Sequence, residues 1–121
     1  TPAVLVAHSL GCIQVAAWAA HSQNTGRVRA ALLVAPPDVE RDDLRQQLPG
    51  WAPVVRQPLP FRSLVVASTD DPFGSFEHAA ALARQWHSAL KDLGPRGHIN
   101  ADSGLGDWPE GHAWLQTLMK E

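Results

Sequence analysis

The sequence has a single cysteine, no marked excess of either charge and no long apolar run, and each absence excludes a class of protein. Cys12 cannot form an internal disulfide, and no basic-then-apolar leader opens the chain, so we expect a cytoplasmic location. Ten basic and twelve acidic residues are interspersed, so no basic face is available for phosphates or anionic lipid. The apolar stretches around Val4 and Leu32 are shorter than the roughly 20 residues of a bilayer crossing. We therefore expect neither nucleic acid nor a membrane as a partner.

Metal-ligand spacing is absent as well. Four histidines fall on predicted helices or at their ends without an H-E-x-x-H pattern: His21, His78, His87 and His112. Cys12 lies one turn into an apolar helix and is interpreted as an inert core residue. The sequence thus predicts no metal site and no cofactor.

The bulk composition fits one compact domain over residues 1–121, with 45% apolar and 18% charged residues. Thr1-Pro2 leads almost directly into an apolar strand. We therefore expect an N-terminally truncated domain, either the C-terminal part of a longer one or a shortened homologue.

The order of elements predicts the fold class. Apolar runs predict strands at residues 4–7, 30–34 and 63–67, with a brief one at 90–93. A helix is predicted over residues 10–20, and Asn24 and Gly26 follow it as stop signals. Further helices are predicted from Asp38 to residue 48, after Ser75 and after Asp107. Strands and helices alternate, which predicts an α/β fold with a doubly wound parallel sheet and helices on both faces. The connection 36–61, with six of the ten prolines, is expected to shape a substrate entrance.

Polar residues that could do chemistry follow three of these strands. Ser9 follows the first, Asp70-Asp71 the third and His98 the fourth. Functional residues gather past the carboxyl ends of parallel strands, and Ser, Asp, His is the chain order of the α/β-hydrolase arrangement. The sequence therefore predicts a serine hydrolase site at this edge.

The turn around Ser9 fits a nucleophile elbow. Such a turn needs small residues on both sides of the serine, and Ala7 and Gly11 supply them, although Ala7 stands where the G-x-S-x-G pattern has glycine. The backbone N–H of Leu10 opens the next helix and is a candidate oxyanion donor. From this pentapeptide alone, a simple strand-to-helix turn capped by Ser9 remains an alternative.

A serine needs an imidazole to take its proton and a carboxylate to orient that imidazole. His98, after the turn 94–97, is the predicted base, and Asp71, before Pro72, is preferred over Asp70 as the acid. Asp70 remains open as the orienting group or as a turn cap. His8, Trp51 and Phe61 are predicted to line the pocket.

Beyond these residues, longer motifs resemble a known family. They are Val6 to Cys12, Leu33 to Pro37, Pro58 to Phe61, Ala67 to Phe73, and Gly94 to Asn100 followed by Ser103 to Pro109. Together they resemble the serine hydrolases that include retinoblastoma-binding protein nine and the YdeN-like proteins, a compact branch of the α/β-hydrolase fold.

The resemblance implies Ser9 as nucleophile, Asp71 as acid and His98 as base. It implies cleavage of a small ester-like or amide-like substrate through an acyl-enzyme. Members of this family usually begin with a further strand and loop that supply the second oxyanion N–H, and we expect this chain to lack them. Two other hypotheses therefore stay open: a non-catalytic protein-binding module of the same fold, and an inactive shortened homologue.

Overall fold

The computed structural model describes residues 3–21, 26, 28–48, 50–51 and 54–95. Strands and helices alternate along these residues. The strands are β1 (Ala3–His8), β2 (Val28–Val34), β3 (Arg62–Ala67) and β4 (Ala89–Asp92), and the helices are α1 (Leu10–His21), α2 (Asp42–Gln47) and α3 (Phe76–Trp86).

The four strands form one sheet in the order β1-β2-β3-β4, and every pair is parallel. In the register, His8 lies beside Val34, and Val34 beside Val66. Ala67 lies beside Asp92. The carboxyl ends of all four strands therefore meet at one edge, which confirms the predicted parallel α/β sheet.

The central strands β2 and β3 are buried on both faces, as their continuous apolar runs predicted. One core contains Leu33 and Val65 with apolar residues of α1 and α3, and a second core on the opposite face contains Leu32 and Val66. Helices α1 and α3 thus share one face of the sheet. This follows from topology, because right-handed crossovers that all advance in one direction place their helices on the same side.

Helix α3 begins where its sequence predicts. Ser75 Oγ accepts a hydrogen bond from the His78 N–H at 3.1 Å, which caps the first turn. Trp86 is fully buried near the other end, and its Nε1 donates to the Val55 carbonyl at 2.8 Å. That bond ties α3 to the connection between β2 and β3.

The predicted cap of α2 was wrong. The helix begins at Asp42 with Arg41 in the N-cap position, and no side chain caps it. Asp38 lies further upstream, where its backbone N–H donates to the Phe73 carbonyl at 2.8 Å. A contact between two loops holds Asp38, and local sequence patterns carry no sign of it. The helix predicted after Asp107 lies outside the described residues.

Candidate active site

Ser9 lies between β1 and α1 in a left-handed backbone conformation, with φ of 60°. This conformation costs a non-glycine residue about 1–2 kcal/mol, so it persists only where the surroundings hold it. The Ser9 N–H donates to the Val34 carbonyl at 2.9 Å, and the Ser9 carbonyl accepts from the Cys12 N–H at 3.0 Å. The turn is therefore fixed on one side by strand β2 and on the other by helix α1.

Close packing explains the small residues beside Ser9. A Cβ added to Gly11 would lie 3.4 Å from the Cβ of Ala7. Larger side chains at both positions would force the strand and helix apart. The methyl group of Ala7 fits where the usual pattern has glycine.

Cys12 strengthens the same junction. Its Sγ lies 3.3 Å from the Val34 carbonyl oxygen, the atom that also accepts from Ser9. The side chain is fully buried, as predicted for a core residue, and burial raises the pKa of its thiol far above the usual range. Cys12 therefore stays protonated and acts as a hydrogen-bond donor.

The turn after β3 carries the two candidate acids in different settings. The Ser68 hydroxyl donates to Asp70 Oδ1 at 2.8 Å, and the Asp70 side chain is on the exposed side of the turn. Asp71 is half-buried, and its Oδ1 accepts from the Phe73 N–H at 2.9 Å. Asp71 is thus the acid whose carboxylate is fixed by the turn that leads to Phe73.

Gly74 brings this acid turn close to the loop after β2. A Cβ at Gly74 would lie 3.1 Å from the Pro36 carbonyl oxygen and 3.2 Å from the Asp38 nitrogen. Both atoms belong to the backbone and have little freedom to move. The glycine is therefore required for the two loops to approach as closely as they do.

His98 lies outside the described residues, but the segment that leads to it is described up to residue 95. Strand β4 ends at Asp92, and the Leu93 N–H donates to the Ala67 carbonyl at 2.9 Å. The Thr69 N–H donates to the Gly94 carbonyl at 2.9 Å, which fastens this segment to the acid turn. Gly94 has φ of 75°, a value that glycine adopts without strain.

A cavity of about 290 Å³ opens directly beside Ser9. Its remaining lining comes from the first turn of α1, the loop after β2, helix α2 and the acid turn: Leu10, Pro37, Leu44, Gln47, Leu48 and Phe73. These lining residues were not predicted individually from the sequence. The proline-rich connection was predicted to shape an entrance, and four of the lining residues come from it.

The described lining of this cavity includes none of the three residues predicted to line the pocket. His8 lines a cavity on the β1 side of α1 together with Trp18. Trp51 lines another, of about 330 Å³, against α1. Phe61 is half-buried and packs on the main core. Their assignment to the substrate pocket stays a prediction.

A polar cluster lies behind the loop after β2. Glu40 accepts hydrogen bonds from the Val54 N–H at 3.0 Å and from the Arg56 guanidinium. His78 Nδ1 lies 3.7 Å from Asp38 Oδ2, and the His78 side chain is only 11% exposed. Burial lowers the pKa of His78, with Arg56 acting in the same direction, and this outweighs the opposing effect of Asp38 and Glu40. His78 is therefore neutral near pH 7.

Within residues 3–95, leaving out the gaps given above, no cluster of three or more potential metal ligands occurs. No helix in those ranges is long and apolar enough to cross a membrane.

A parallel sheet with a strained serine turn at the carboxyl end of one strand and an acid turn two strands away defines the α/β-hydrolase class. Comparison with protein-family models matches residues 1–117 to the family described as serine hydrolase. The chain belongs to this serine hydrolase family.

Solved structures agree on the fold. A protein of Pectobacterium atrosepticum described as YdeN-like hydrolase is 32% identical, with a TM-score of 0.79 over 99% of this chain and 59% of its own. The ydeN gene product of Bacillus subtilis is 24% identical, with a TM-score of 0.75 over 98% of this chain and 66% of its own. The carboxylesterase of Bacillus cereus is 16% identical, with a TM-score of 0.59 over 95% of this chain and 49% of its own. The chain thus spans about three fifths of the length of the first of these structures, and none of the curated proteins compared with it gives a significant match.

Proposed function

We propose that this protein is a cofactor-free serine hydrolase that cleaves small esters through an acyl-enzyme on Ser9. The observation that carries the proposal is the strained backbone of Ser9, held between Val34 and Cys12 beside an apolar cavity. Strain of this kind persists where geometry serves a site. Membership in the serine hydrolase family supports the same assignment.

In the first step the Ser9 hydroxyl oxygen attacks the carbonyl carbon of the ester while His98 takes the hydroxyl proton. The carbonyl oxygen gains the negative charge, and the Leu10 N–H, in the first turn of α1, is placed to donate to it. The tetrahedral intermediate then collapses, the bond to the alcohol oxygen breaks, and His98 returns its proton to the departing alcohol. An acyl group is left on Ser9.

In the second step water attacks the acyl carbonyl and gives one proton to His98. The bond between Ser9 oxygen and the acyl carbon breaks, Ser9 recovers the proton, and a carboxylic acid leaves. Asp71 orients His98 and stabilises its charged form throughout both steps. The hydrogen bonds of Leu93 and Thr69 that guide the chain from β4 along the acid turn support this pairing.

A fluorophosphonate probe tests the proposal, because it reacts only with an activated serine. We expect labelling of the native protein at Ser9, loss of labelling in Ser9→Ala, and full labelling in Ser75→Ala, which alters a helix-capping serine. Peptide mapping by mass spectrometry identifies the labelled residue. A folded sample, verified by circular dichroism, that takes no label would refute the enzymatic assignment and favour a binding role for this fold.

A further inference from the structure

The cavity beside Ser9 carries an inference about the substrate, which rests on the proposed function. We infer that this cavity holds the acyl group and selects uncharged acyl chains of about six to ten carbons. Acetyl esters would leave most of it empty, and long fatty acyl chains would extend beyond it.

The position of the cavity is the first support. Ser9 and Leu10 are both part of its lining, so the nucleophile and the candidate oxyanion donor open onto the same space. An acyl group attached to the Ser9 oxygen, with its carbonyl oxygen facing the Leu10 N–H, has its chain directed to this side of the turn. The departing alcohol must then leave on another side.

The chemistry of the lining is the second support. Apart from Ser9, the described residues that line the cavity are five apolar residues and Gln47, and none of these carries a charge. An ammonium or carboxylate on the acyl chain would lose its hydration here without gaining a partner. Each methylene buried instead raises kcat/KM about fourfold.

The size of the cavity sets the chain length. Its volume of about 290 Å³ is roughly twice that of an apolar cavity of about 150 Å³ that holds one benzene molecule. At the same packing it accommodates about twelve heavy atoms. Since the site must also admit the carbonyl group, the chain of an acyl group of about six to ten carbons fills it.

Helix α2 forms a firm wall for this cavity. Leu44 is 4% exposed, and the Leu48 N–H donates to the Leu44 carbonyl at 2.8 Å, so the two leucines lie one turn apart. The Arg41 guanidinium binds Asp43 through Nε at 2.7 Å and donates from Nη2 to the Pro72 carbonyl at 2.9 Å. The wall of the cavity is thereby attached to the acid turn.

The test measures kcat/KM for p-nitrophenyl acetate, butyrate, octanoate and palmitate with the native protein. We expect octanoate to exceed acetate by about 10³-fold or more, since six added methylenes at about fourfold each multiply to about 4,000-fold, and palmitate to fall below octanoate. A profile that is flat, or highest for acetate, in protein whose Ser9 takes the fluorophosphonate label would overturn the inference and leave the proposed function standing. Absence of both labelling and ester hydrolysis would refute the proposed function itself.

Two variants assign the profile to this cavity. Leu48→Trp fills part of it and should lower the octanoate-to-butyrate ratio about tenfold, while Gln47→Leu should raise that ratio about threefold. Gln46→Trp is the matched control, because Gln46 is exposed on the same helix and is not part of the lining. If Leu48→Trp fails to fold, the octanoate-to-butyrate ratio of Gln47→Leu tests the inference. An unchanged ratio in a folded variant, or a shift as large in Gln46→Trp, contradicts the inference.

Discussion

At the residue scale, the two neighbouring aspartates of the acid turn differ in what holds them. Asp70 is exposed and bonded by the Ser68 hydroxyl, whereas Asp71 is half-buried and bonded by the Phe73 N–H. Phe73 also lines the cavity beside Ser9. The turn that fixes Asp71 is thus the one that reaches the nucleophile.

This difference predicts unequal effects of two matched substitutions. Asp71→Asn should lower kcat by about 10³- to 10⁴-fold, because an amide favours the wrong tautomer of the base and cannot stabilise its charged form. Asp70→Asn makes the same replacement at the adjacent position. It should lower kcat by less than about tenfold, because the bond of Asp70 to Ser68 lies within the turn. Steady-state hydrolysis of a p-nitrophenyl ester measures both. Equal losses, or a larger loss in Asp70→Asn, would assign the acid to Asp70.

Residues of the site that local sequence features mark could be predicted, whereas residues whose role depends on tertiary contacts could not. Ser9 was identifiable because small neighbours and a preceding apolar strand are local features. Leu44 and Leu48 were not identifiable as cavity residues, because leucines on a short helix have the same pattern whether they face a core or a cavity. Phe73 likewise acquires its role only when Gly74 brings two loops together.

At the element scale, helix α3 supports the loops of the site from behind. His78 lies on this helix and faces Asp38 across 3.7 Å, with Glu40 and Arg56 as the other charged groups that act on it. Within the described residues its Nε2 is buried and has no hydrogen-bond partner. Protonation would place a charge there at a high desolvation cost.

The stability of the protein should therefore depend on pH through His78. Its pKa is lowered in the folded state, so below about 6.5, the ordinary value, the unfolded chain binds a proton that the folded protein does not. The free energy of unfolding should fall as pH decreases from 6.5 towards the lowered pKa, and this contribution is fully present above 6.5. Urea unfolding at pH 7.5, 6.5 and 5.5 measures it.

Matched variants identify the source of this dependence. His78→Gln removes the titrating group and should flatten the dependence over this pH window, whereas His21→Gln, at the exposed end of α1, should leave it as in the native protein. The pKa of Glu40 is also lowered: burial tends to raise it, but the bonds from Val54 and Arg56 prevail. That contribution is lost at more acidic pH, as Glu40 is protonated. If the free energy of unfolding of His78→Gln falls between pH 6.5 and 5.5 as steeply as that of the native protein, His78 is excluded as the source of the pH dependence.

The secondary structure elements themselves were more predictable than their connections. Strands β2 and β3 were found because strands buried on both faces of a parallel sheet carry continuous apolar runs. The start of α2 was missed because Asp38 is held by Phe73, thirty-five positions along the chain. The shared face of α1 and α3 depends on strand order, which was not predicted, because the local sequence patterns carry no sign of which strands are neighbours.

At the scale of the whole molecule, the sheet presents strand β1 at one side. Among the described residues, β2 is the only strand hydrogen-bonded to β1. Val6 on this strand is 61% exposed, and Trp18 on the neighbouring helix is 39% exposed. Both line a cavity of about 420 Å³. An exposed apolar edge strand favours pairing with another chain.

The 121-residue chain should accordingly associate through this edge, and a charge at the edge should oppose association. We expect Val6→Lys to lower the weight-average mass at high protein concentration towards that of a monomer, because a lysine must lose hydration when the edge is covered. Gln57→Lys adds the same charge at an exposed position of the connection and is the control. Sedimentation velocity over a tenfold concentration range measures the effect. Equal association of the two variants would place the contact elsewhere.

The Val34 carbonyl has a consequence for how this site must be probed. It accepts from both Ser9 and Cys12, so the geometry of the proposed nucleophile depends on a strand that contributes no proposed catalytic side chain. An alanine scan is blind to this dependence, because every amino acid at position 34 offers the same carbonyl oxygen. Only a change to the backbone itself, such as replacing the Ser9 amide by an ester, removes that contact while leaving all side chains in place.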